Sequence, residues 1–527
     1  MPTASGPFGF PAFMTGGPVV ASGWQDDGTV VRLVTVTDQV VIGDTLPVGT
    51  EALRVVGDTR VEGRLDIASG TFNVFVGNGA GDADAGSSSN VGVGVNALNS
   101  LTTGNNNVAV GRQALEANDS GSENTAIGFQ ALRNSDAPGN TAVGASALFG
   151  NTNGSANTAI GADALSANAG GGANVAVGRS ALASANASDN VAVGSSALTS
   201  DTTGQRNTAV GSSAMVTNTT GGDNVAVGSN ALFANTTASS NTAVGTDSLL
   251  GNTTGSQNTA VGKLSLQTNV TGSNNVAVGF NAMGANTTGG LNTTVGASSM
   301  SSNTTGSQNT AVGYTAMLNN TTGERNAAFG QSSLRGNTTG NFNTAVGQDA
   351  MNQSTTGTDN TAVGHQALIS SDASNENTAV GADAMGANTT SGDDNVAIGY
   401  RAGYAHSSGT QCTYVGANAG NAGSTGSLTN ATAIGYGAVV TQDNTVILGD
   451  GADVGIGTST PTEKLDVVGS INMSASLKQG TTQVVGAQGA AVADAAGGAV
   501  IDAEARTAIN DLLARVRAST GHGLIAG

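Results

Sequence analysis

The chain is poor in the residues that fill globular cores and build chemical sites. Of its 527 residues, 3% are aromatic and 10% are charged, whereas about 25% of an ordinary globular domain is charged. The single cysteine, Cys412, excludes an intrachain disulfide framework and a cysteine-based metal site. The length alone would suggest two to four domains, but too few large side chains are present to fill several compact cores.

Positive charge is also scarce. The formal net charge is −19, with 17 Lys and Arg residues in total. Because nucleic acids and anionic membranes bind basic surfaces, we expect neither as a partner. No stretch approaches the ~18–20 apolar residues of a membrane helix, so no membrane insertion is expected. The N-terminal residues lack the basic and apolar regions of a secretory signal, so we expect no export by such a leader.

What the chain has in abundance is a repeat. The pattern N-[TV]-A-[VI]-G recurs from Asn107 to Asn395 in steps that are almost all 17 residues, with looser copies at Asn73 and Asn90. The series ends loosely at Gly416 and Gly435. The unit reads N-T-A-V-G-x-x-A-L-x-x-N-T-T-G-x-x, and its positions are numbered here from 1, the first Asn, to 17. Regular self-similarity of this kind indicates a repeat architecture.

Position 9 of the unit indicates a core ladder, that is, a row of buried side chains with one residue from each coil. Eighteen successive units have Leu or Met there, and a position restricted to large apolar types once per turn is typical of a buried row. The leucines on which this prediction rests most directly are Leu115, Leu132, Leu148, Leu165, Leu182, Leu198, Leu232 and Leu368.

The unit predicts an all-β fold with one coil per repeat. Seventeen residues are too few for two helices and a loop, and T-A-V-G alternates as a strand does. Gly and Asn supply the positive-φ corners at which the chain turns. We therefore predict a parallel β-solenoid or β-roll of about 21 coils between Asn73 and Gly416, on the order of 100 Å long.

A single roll of this kind has a narrow core. One Leu and one Val per coil bury little area, and the Ala side would remain open. Symmetric association is the usual remedy, so we expect a homotrimer in which Ala packs where three chains meet. The repeated Asn fits two interpretations, a side-chain amide ladder along the stack or simple turn chemistry, and both stay open at this stage.

The flanks differ from the array in composition. Strand-like motifs, Val41–Asp44 with Glu51–Gly57 and Ile447–Asp450 with Glu463–Gly469, predict β-rich collars at both ends. The predicted divisions are 1–31, an irregular docking arm; 32–72, a collar; 73–420, the solenoid; 421–480, a second collar; and 481–527, an Ala/Gly linker and C-terminal helix.

Two of these segments contain candidate contact residues. The docking arm has four of the seven prolines, and its aromatic residues are Phe8, Phe10, Phe13 and Trp24. In the C-terminal segment, apolar residues spaced by four, three and four positions favour a trimerising helix seam. An ordinary helix packed on a neighbouring domain is the alternative. The seam residues are Ala505, Ile509, Leu512 and Val516.

No pattern in the chain predicts catalysis, a metal site or a cofactor. The carboxylates at position 7, such as Asp163 and Asp247, are never in adjacent coils, which is typical of solvated surface. Asp393 and Asp394 form a pair in a turn, and the three histidines, His365, His406 and His522, are widely separated. Paired carboxylates with supporting aromatic residues, as glycoside cleavage needs, do not recur. We therefore expect a non-enzymatic protein with no cofactor.

The repeat motif resembles those of a known group of fibrous proteins. N-T-A-V-G-x-x-A-L-x-x-N-T-T-G is similar to the head repeats of trimeric autotransporter adhesins, and its 17-residue form resembles repeats in phage tail fibres and related virion fibres. The segment 454–473, VGIGTSTPTEKLDVVGSINM, is similar to the stretch preceding the intramolecular chaperone of many phage tail spikes. The C-terminal 35 or so residues resemble the ends of small phage head-fibre proteins.

The resemblance implies a homotrimeric virion fibre that docks on the tail of a phage particle and attaches to a host cell-surface receptor, such as a glycan. A capsid head fibre, a bacterial surface adhesin and a tail-assembly spacer are the alternatives. Autotransporters carry a signal peptide and a membrane anchor, and neither pattern is seen here, which favours localisation on a virion. The only lysine after Met473 is Lys478, and few residues follow, so we expect no autoproteolysis of the chaperone type.

Overall fold

The computed structural model describes 72–370, 372–386, 392–405, 408–420, 427–449, 451–469 and 471, several short strands outside these ranges, and the single residues Thr507 and Asp511. The chain divides into two compact units, Met1–Phe72 and Asn73–Gly527.

The first unit contains four short strands: β1 (Trp24–Asp26), β2 (Val31–Leu33), β3 (Val40–Ile42) and β4 (Leu53–Val55). β1 pairs with β2 in the antiparallel sense, and β3 pairs with β4 in parallel. The segment 1–31, which was expected to be irregular, therefore contains β1 and the start of β2. The rest of that segment lies outside the described residues, as do Phe8, Phe10 and Phe13.

The second unit is dominated by 23 three-residue strands that pair in parallel with their neighbours in the chain. In each pair the middle residues are in register, as Ala243 is with Ala260. In chain order, β5 to β27 are Val74–Val76, Val91–Val93, Val108–Val110, Thr125–Ile127, Thr141–Val143, Thr158–Ile160, Val175–Val177, Val191–Val193, Thr208–Val210, Val225–Val227, Thr242–Val244, Thr259–Val261, Val276–Val278, Thr293–Val295, Thr310–Val312, Ala327–Phe329, Thr344–Val346, Thr361–Val363, Thr378–Val380, Val396–Ile398, Thr413–Val415, Thr432–Ile434 and Val446–Leu448.

This architecture is a parallel β-solenoid with one strand per coil, and it confirms the predicted fold class. The strands from β5 to β25 correspond to the predicted array of about 21 coils with a 17-residue spacing. The predicted end of the solenoid at residue 420 is wrong, because β26 and β27 continue the same parallel stack. T-A-I-G at 432–435 and V-I-L-G at 446–449 supply the strand and glycine that each coil requires.

Two smaller sheets follow the stack. β28 (Val454–Ile456) pairs in parallel with β29 (Leu465–Val467), and β30 (Leu477–Gln479) pairs with β31 (Thr482–Val485) in the antiparallel sense. The similar motifs of the two flanks are paired differently. Both halves of the N-terminal motif pair with each other as β3 and β4, whereas in the C-terminal copy Ile447 and Leu448 belong to the main stack.

Helix is almost absent from the described residues, where only the exposed Thr507 and Asp511 have helical backbone. Both fall within the segment for which the sequence predicts a helix. The four seam residues Ala505, Ile509, Leu512 and Val516 lie outside the described residues.

The core of a typical coil is made of two alanines and one large apolar residue, and a buried Ser or Thr replaces one alanine in a few coils, as Ser248 and Thr294 do. The Ala residues at positions 3 and 8 and the Leu or Met at position 9 have no exposed surface, as in the coil with Ala226, Ala231 and Leu232. All eight predicted ladder leucines, Leu115, Leu132, Leu148, Leu165, Leu182, Leu198, Leu232 and Leu368, are fully buried. The narrow interior is filled because a long side chain from position 9 meets two methyl groups.

The ladder residues have an unusual backbone conformation. From Leu98 to Met385 every Leu or Met at position 9 has a φ between 47° and 53°. The left-handed conformation costs an L-residue roughly 1–2 kcal/mol. Full burial of a Leu side chain contributes about 1.5–3 kcal/mol, which offsets that cost. The side chain is therefore carried on a tight corner that points it into the coil.

Glycine at position 5 allows successive coils to stack closely. Gly245 has a φ of 133°, and a Cβ atom built on it would lie 2.6 Å from the carbonyl carbon of Gly262 in the next coil. The same close approach recurs along the row, for example between Gly262 and Gly279. A side chain at this position would therefore separate two coils.

Candidate functional site: the outer face of the strand stack

The strands β5 to β27 present two rows of side chains to the outside. In a three-residue strand the first and third residues, positions 2 and 4, share one face, and the middle residue points to the other. The middle residue is buried in nearly every coil, whereas the flanking residues are half-buried or exposed. The outer face is therefore built from positions 2 and 4 of every coil.

This outer face is uncharged and largely apolar. Position 2 is Thr or Val in 22 strands and Ala327 in the remaining one, and position 4 is always Val, Ile, Leu or Phe. The exposed residues of the position-4 row are Val76, Val93, Val110, Ile127, Ile160, Val227, Val244, Val295, Phe329, Val346, Val380, Ile398, Ile434 and Leu448. A contiguous apolar strip of this length indicates an interaction surface.

The structure reverses the expected roles of alanine and valine. The Ala side was expected to stay open and to pack where three chains meet. Instead Ala243 is fully buried inside its own coil, and Val244 is exposed on the outer face. Where a Leu or Met occupies position 9, position 3 holds a small residue, Ala in most coils and the buried Thr294 in one. The surface available to a second molecule is therefore the Val/Ile row.

Behind this face, asparagines bind the coils to one another. The backbone N–H of each position-1 Asn donates to Oδ1 of the Asn one coil earlier, as Asn241 does to Asn224 at 2.9 Å. This row is unbroken from Asn73 to Asn395, and the N–H of Cys412 donates to Asn395 at its end. Burying these polar groups is tolerated because they are hydrogen-bonded.

A second Asn, at position 12, completes the contact within many of the coils. In the coil that begins at Asn207, the Nδ2 atoms of Asn207 and Asn218 (position 12) both donate to the carbonyl of Gly221, at 2.8 and 2.9 Å. We call this three-residue arrangement the Asn clasp. The position-12 side chains also form an amide ladder between coils, as Asn235 donates to Asn218 at 2.8 Å. The structure thus combines both interpretations of the repeated Asn, turn chemistry and ladder.

Charged and aromatic residues lie outside the strands, mainly at positions 6, 7, 10 and 17 of the unit. Arg206 pairs with Asp223 across adjacent coils at 2.7 Å, and the guanidinium of Arg401 lies 4.6 Å from the ring centre of Tyr404. At position 7, Asn230 donates to Asp247 at 3.0 Å. These pairs are exposed or half-buried, so they contribute little to stability. They hold side chains of adjacent coils together outside the strands.

One carboxylate row does occur in adjacent coils. Asp359, Glu376 and Asp394 are the last residues of three consecutive coils, at position 17 in the first two and position 18 in the longer third coil, with Asp393 beside them. A hydrogen bond that the protonated Glu376 carboxyl donates to the Asp394 carboxylate, together with the charges of the neighbouring carboxylates, raises the pKa of Glu376. The carboxylates at position 7 gave no indication of this row, which becomes visible in the sequence when the units are aligned by their last residue.

The histidines and carboxylates form no metal-binding cluster in the described part of the chain. No group of three or more His, Cys, Asp or Glu side chains among the described residues is arranged to hold a metal ion. His365 is exposed, while His406 and His522 lie outside the described residues. Trp24 lies in β1, and the other docking-arm aromatics and the seam residues are not among the residues that the structure describes.

Comparison with protein-family models and with curated protein sequences finds no match to this chain. Among the described residues, no helix has the length and apolar character needed to span a membrane.

Proposed function

We propose that this protein is a non-enzymatic structural fibre of a phage-like particle. In this proposal three copies associate into a rod that docks on the tail and attaches the particle to a host cell-surface receptor. Its place is the outside of the virion, and its partners are its own copies, other virion proteins and the receptor. The observation that carries the proposal is the outer face, a row of exposed Val and Ile that runs the length of the coil stack.

The size of the outer face supports association with copies of the same chain. With strands ~4.8 Å apart, 23 coils make a strip about 100 Å long, and positions 2 and 4 make it roughly 10 Å wide. The strip therefore offers on the order of 1,000 Å² per copy, above the ~800 Å² per partner of a standard interface. A second copy has the matching repeat, so its own uncharged rows would meet this strip along its whole length.

The number of copies and the place on a virion rest on the resemblance of the repeat to trimeric adhesin heads and phage fibres. The chain's acidity and the coil architecture are compatible with such a rod. Attachment would then act through reach and multivalency, because weak contacts made by three chains per fibre and several fibres per particle add as avidity.

Cryo-electron microscopy of particles that carry this protein tests the proposal. We expect three-fold rods about 100 Å or more in length on the tail, marked by a Fab raised against the coil stack. Rods on the shell would instead support the capsid head fibre, which the C-terminal resemblance favours. Fab density on the bacterial surface and none on particles would contradict the virion assignment.

A further inference from the structure

Two coils have a carboxyl group where the Asn clasp requires an amide, Asp84 in the first coil, which is exposed, and Asp201, which is buried. Asp201 occupies position 12 of the coil that begins at Asn190, and its side chain has no exposed surface. It replaces the Asn found at this position in the coils from Asn218 to Asn337. Asp201 is therefore a buried carboxyl at the start of a row of amides that continues from Asn218 to Asn337.

The two oxygens of Asp201 have different surroundings. Oδ1 accepts hydrogen bonds from the backbone N–H of Gly204 at 3.1 Å and from Nδ2 of Asn218 at 3.0 Å. Oδ2 is buried and has no hydrogen-bond partner. Oδ1 thus takes the same role as Oδ1 of the ladder asparagines, and Oδ2 stands in the place of Nδ2.

The neighbouring backbone lacks the bond that Nδ2 would make. The carbonyl of Gly221 accepts from both Asn207 and Asn218, but the carbonyl of Gly204 accepts only from Asn190, at 2.9 Å. A proton on Oδ2 of Asp201 would donate to this carbonyl as an amide N–H does. An ionised Oδ2 would place two acceptor oxygens against each other in a buried position, which is costly.

We infer that Asp201 is a proton-controlled part of the coil stack, closing its Asn clasp when the carboxyl is neutral and opening the coil 190–206 when it is ionised. This inference is independent of how the chain associates with other molecules. Burial raises the pKa of Asp201 to about 7, against the opposing effect of the hydrogen bonds from Gly204 and Asn218. The change in charge therefore falls near neutral pH.

No charged group in the adjoining coils accounts for this behaviour. The coil before Asp201 places Ala185, which has no polar side chain, at position 12, and the coil after it places Asn218 there. The other charged residues of these three coils all lie on the exposed surface. They are Arg179, Asp189, Arg206 and Asp223. Desolvation and the hydrogen bonds to Asp201 therefore set its protonation.

The direction of the pH effect follows from the raised pKa. Because the proton is held more tightly in the folded coil than in the opened one, the coil is most stable below the ordinary Asp range. Stability falls as the pH rises to about 7 and is level above that. From pH 5 to pH 8 the opening equilibrium of coil 190–206 should increase about 80-fold.

Hydrogen exchange of the full-length protein, read by mass spectrometry at pH 5 and pH 8, tests this inference. Peptides from 190–223 are compared with peptides from 241–274, which contain Asn252 and Asn269 at position 12 and correct for the intrinsic pH dependence of exchange. We expect protection of 190–223 to fall about 80-fold from pH 5 to pH 8, relative to the reference peptides. Equal protection ratios at both pH values would overturn the inference.

Two variants separate protonation from packing. Asp201→Asn restores the amide of the other coils and should make 190–223 insensitive to pH, with protection at pH 8 no lower than at pH 5. Asp201→Ala reproduces the residue of Ala185 and should lower protection equally at both pH values. If Asp201→Asn keeps the wild-type pH dependence, another group is responsible and the inference is wrong.

Discussion

Phe75 and Gly81 share one space in the first coil: a Cβ atom on Gly81 would lie 2.6 Å from the ring carbons of Phe75. Phe75 stands at position 3, where Ala is usual, and Gly81 stands at position 9, where Leu or Met is usual. The same exchange occurs near the other end of the stack. Tyr414 is at position 3, and a Cβ on Gly403, at position 9 of the preceding coil, would be 2.7 Å from its ring. At both ends of the Leu ladder an aromatic ring closes the core.

We predict that Tyr414→Ala destabilises the last coils by about 3–5 kcal/mol, because it removes a fully buried aromatic ring beside two glycines that cannot fill the space. Hydrogen exchange of peptides around 395–420 measures the local effect, which is appropriate for a repeat protein that can open coil by coil. Tyr436→Ala is the matched control, since Tyr436 is 78% exposed. Equal loss of protection in the two variants would refute the role of Tyr414 as an end cap.

The Leu ladder gives a second prediction. Leu232→Ala should cost about 2–5 kcal/mol because it leaves a cavity between buried alanines, whereas Leu232→Met should cost less than about 1.5 kcal/mol. Met already occupies the same position in the preceding coil as Met215. Leu291→Ala, at a 58% exposed site, is the control. Denaturant unfolding followed by circular dichroism measures all three, and a Met variant as unstable as the Ala variant would contradict the prediction.

The amide ladder can be extended by one residue. It stops at Asn337, whose buried Oδ1 has no partner, because the next coil has Ser354 at position 12 and its buried hydroxyl is also unpartnered. We predict that Ser354→Asn stabilises the protein by about 1 kcal/mol, since the new Nδ2 can donate to Asn337 and to the carbonyl of Gly357. Ser354→Ala, which adds no donor, is the control. A rise in melting temperature for Ala but none for Asn would contradict this account.

The carboxylate row of Asp359, Glu376 and Asp394 predicts a pH effect of its own. The folded-state pKa of Glu376 is raised, so its charge destabilises the folded protein above that pKa, and stability returns as the pH falls through it. Glu376→Gln should therefore raise the melting temperature at pH 7 and make little difference at pH 4. Glu324→Gln, at an exposed site outside this row, is the control. A Gln variant that is stabilised equally at both pH values would argue against repulsion between carboxylates.

Much of the fold could be predicted from the sequence because each coil repeats the same physical requirements. The restriction of position 9 to Leu and Met identified the buried row that includes Leu232, and T-A-V-G identified the strand. The sequence could not decide which of Ala243 and Val244 faces inward. Both are apolar, and a period of two gives one of them to each face without saying which face is inside. That choice depends on the interior volume left by the position-9 side chain, which only the structure shows.

Other features were present in the sequence but carried a weak signal. Asp201 differs by one group from the asparagines of the coils that follow it, and its meaning depends on the carbonyl of Gly204, which accepts one hydrogen bond where that of Gly221 accepts two. The exchange of Ala and Leu for Phe75 and Gly81 is visible when the units are aligned, but only contact between the two explains it. The sequence carries no signal for the left-handed φ of Leu232, because Leu seldom adopts that backbone conformation.

The central claim is that the exposed Val/Ile row joins copies of this chain, and its most direct test is the mass of the full-length protein in solution. Sedimentation equilibrium should give three times the chain mass of 50.9 kDa. Replacing Val227, Val244 and Val295 with Lys should reduce the mass to that of a single chain, because desolvating lysines in an apolar interface is costly. Replacing Thr220, Thr237 and Thr254 with Lys should leave the trimer intact, because these residues are exposed at position 14, outside the outer face. A wild-type protein that sediments as a single chain, or a trimer that survives lysines on the outer face, would contradict the account.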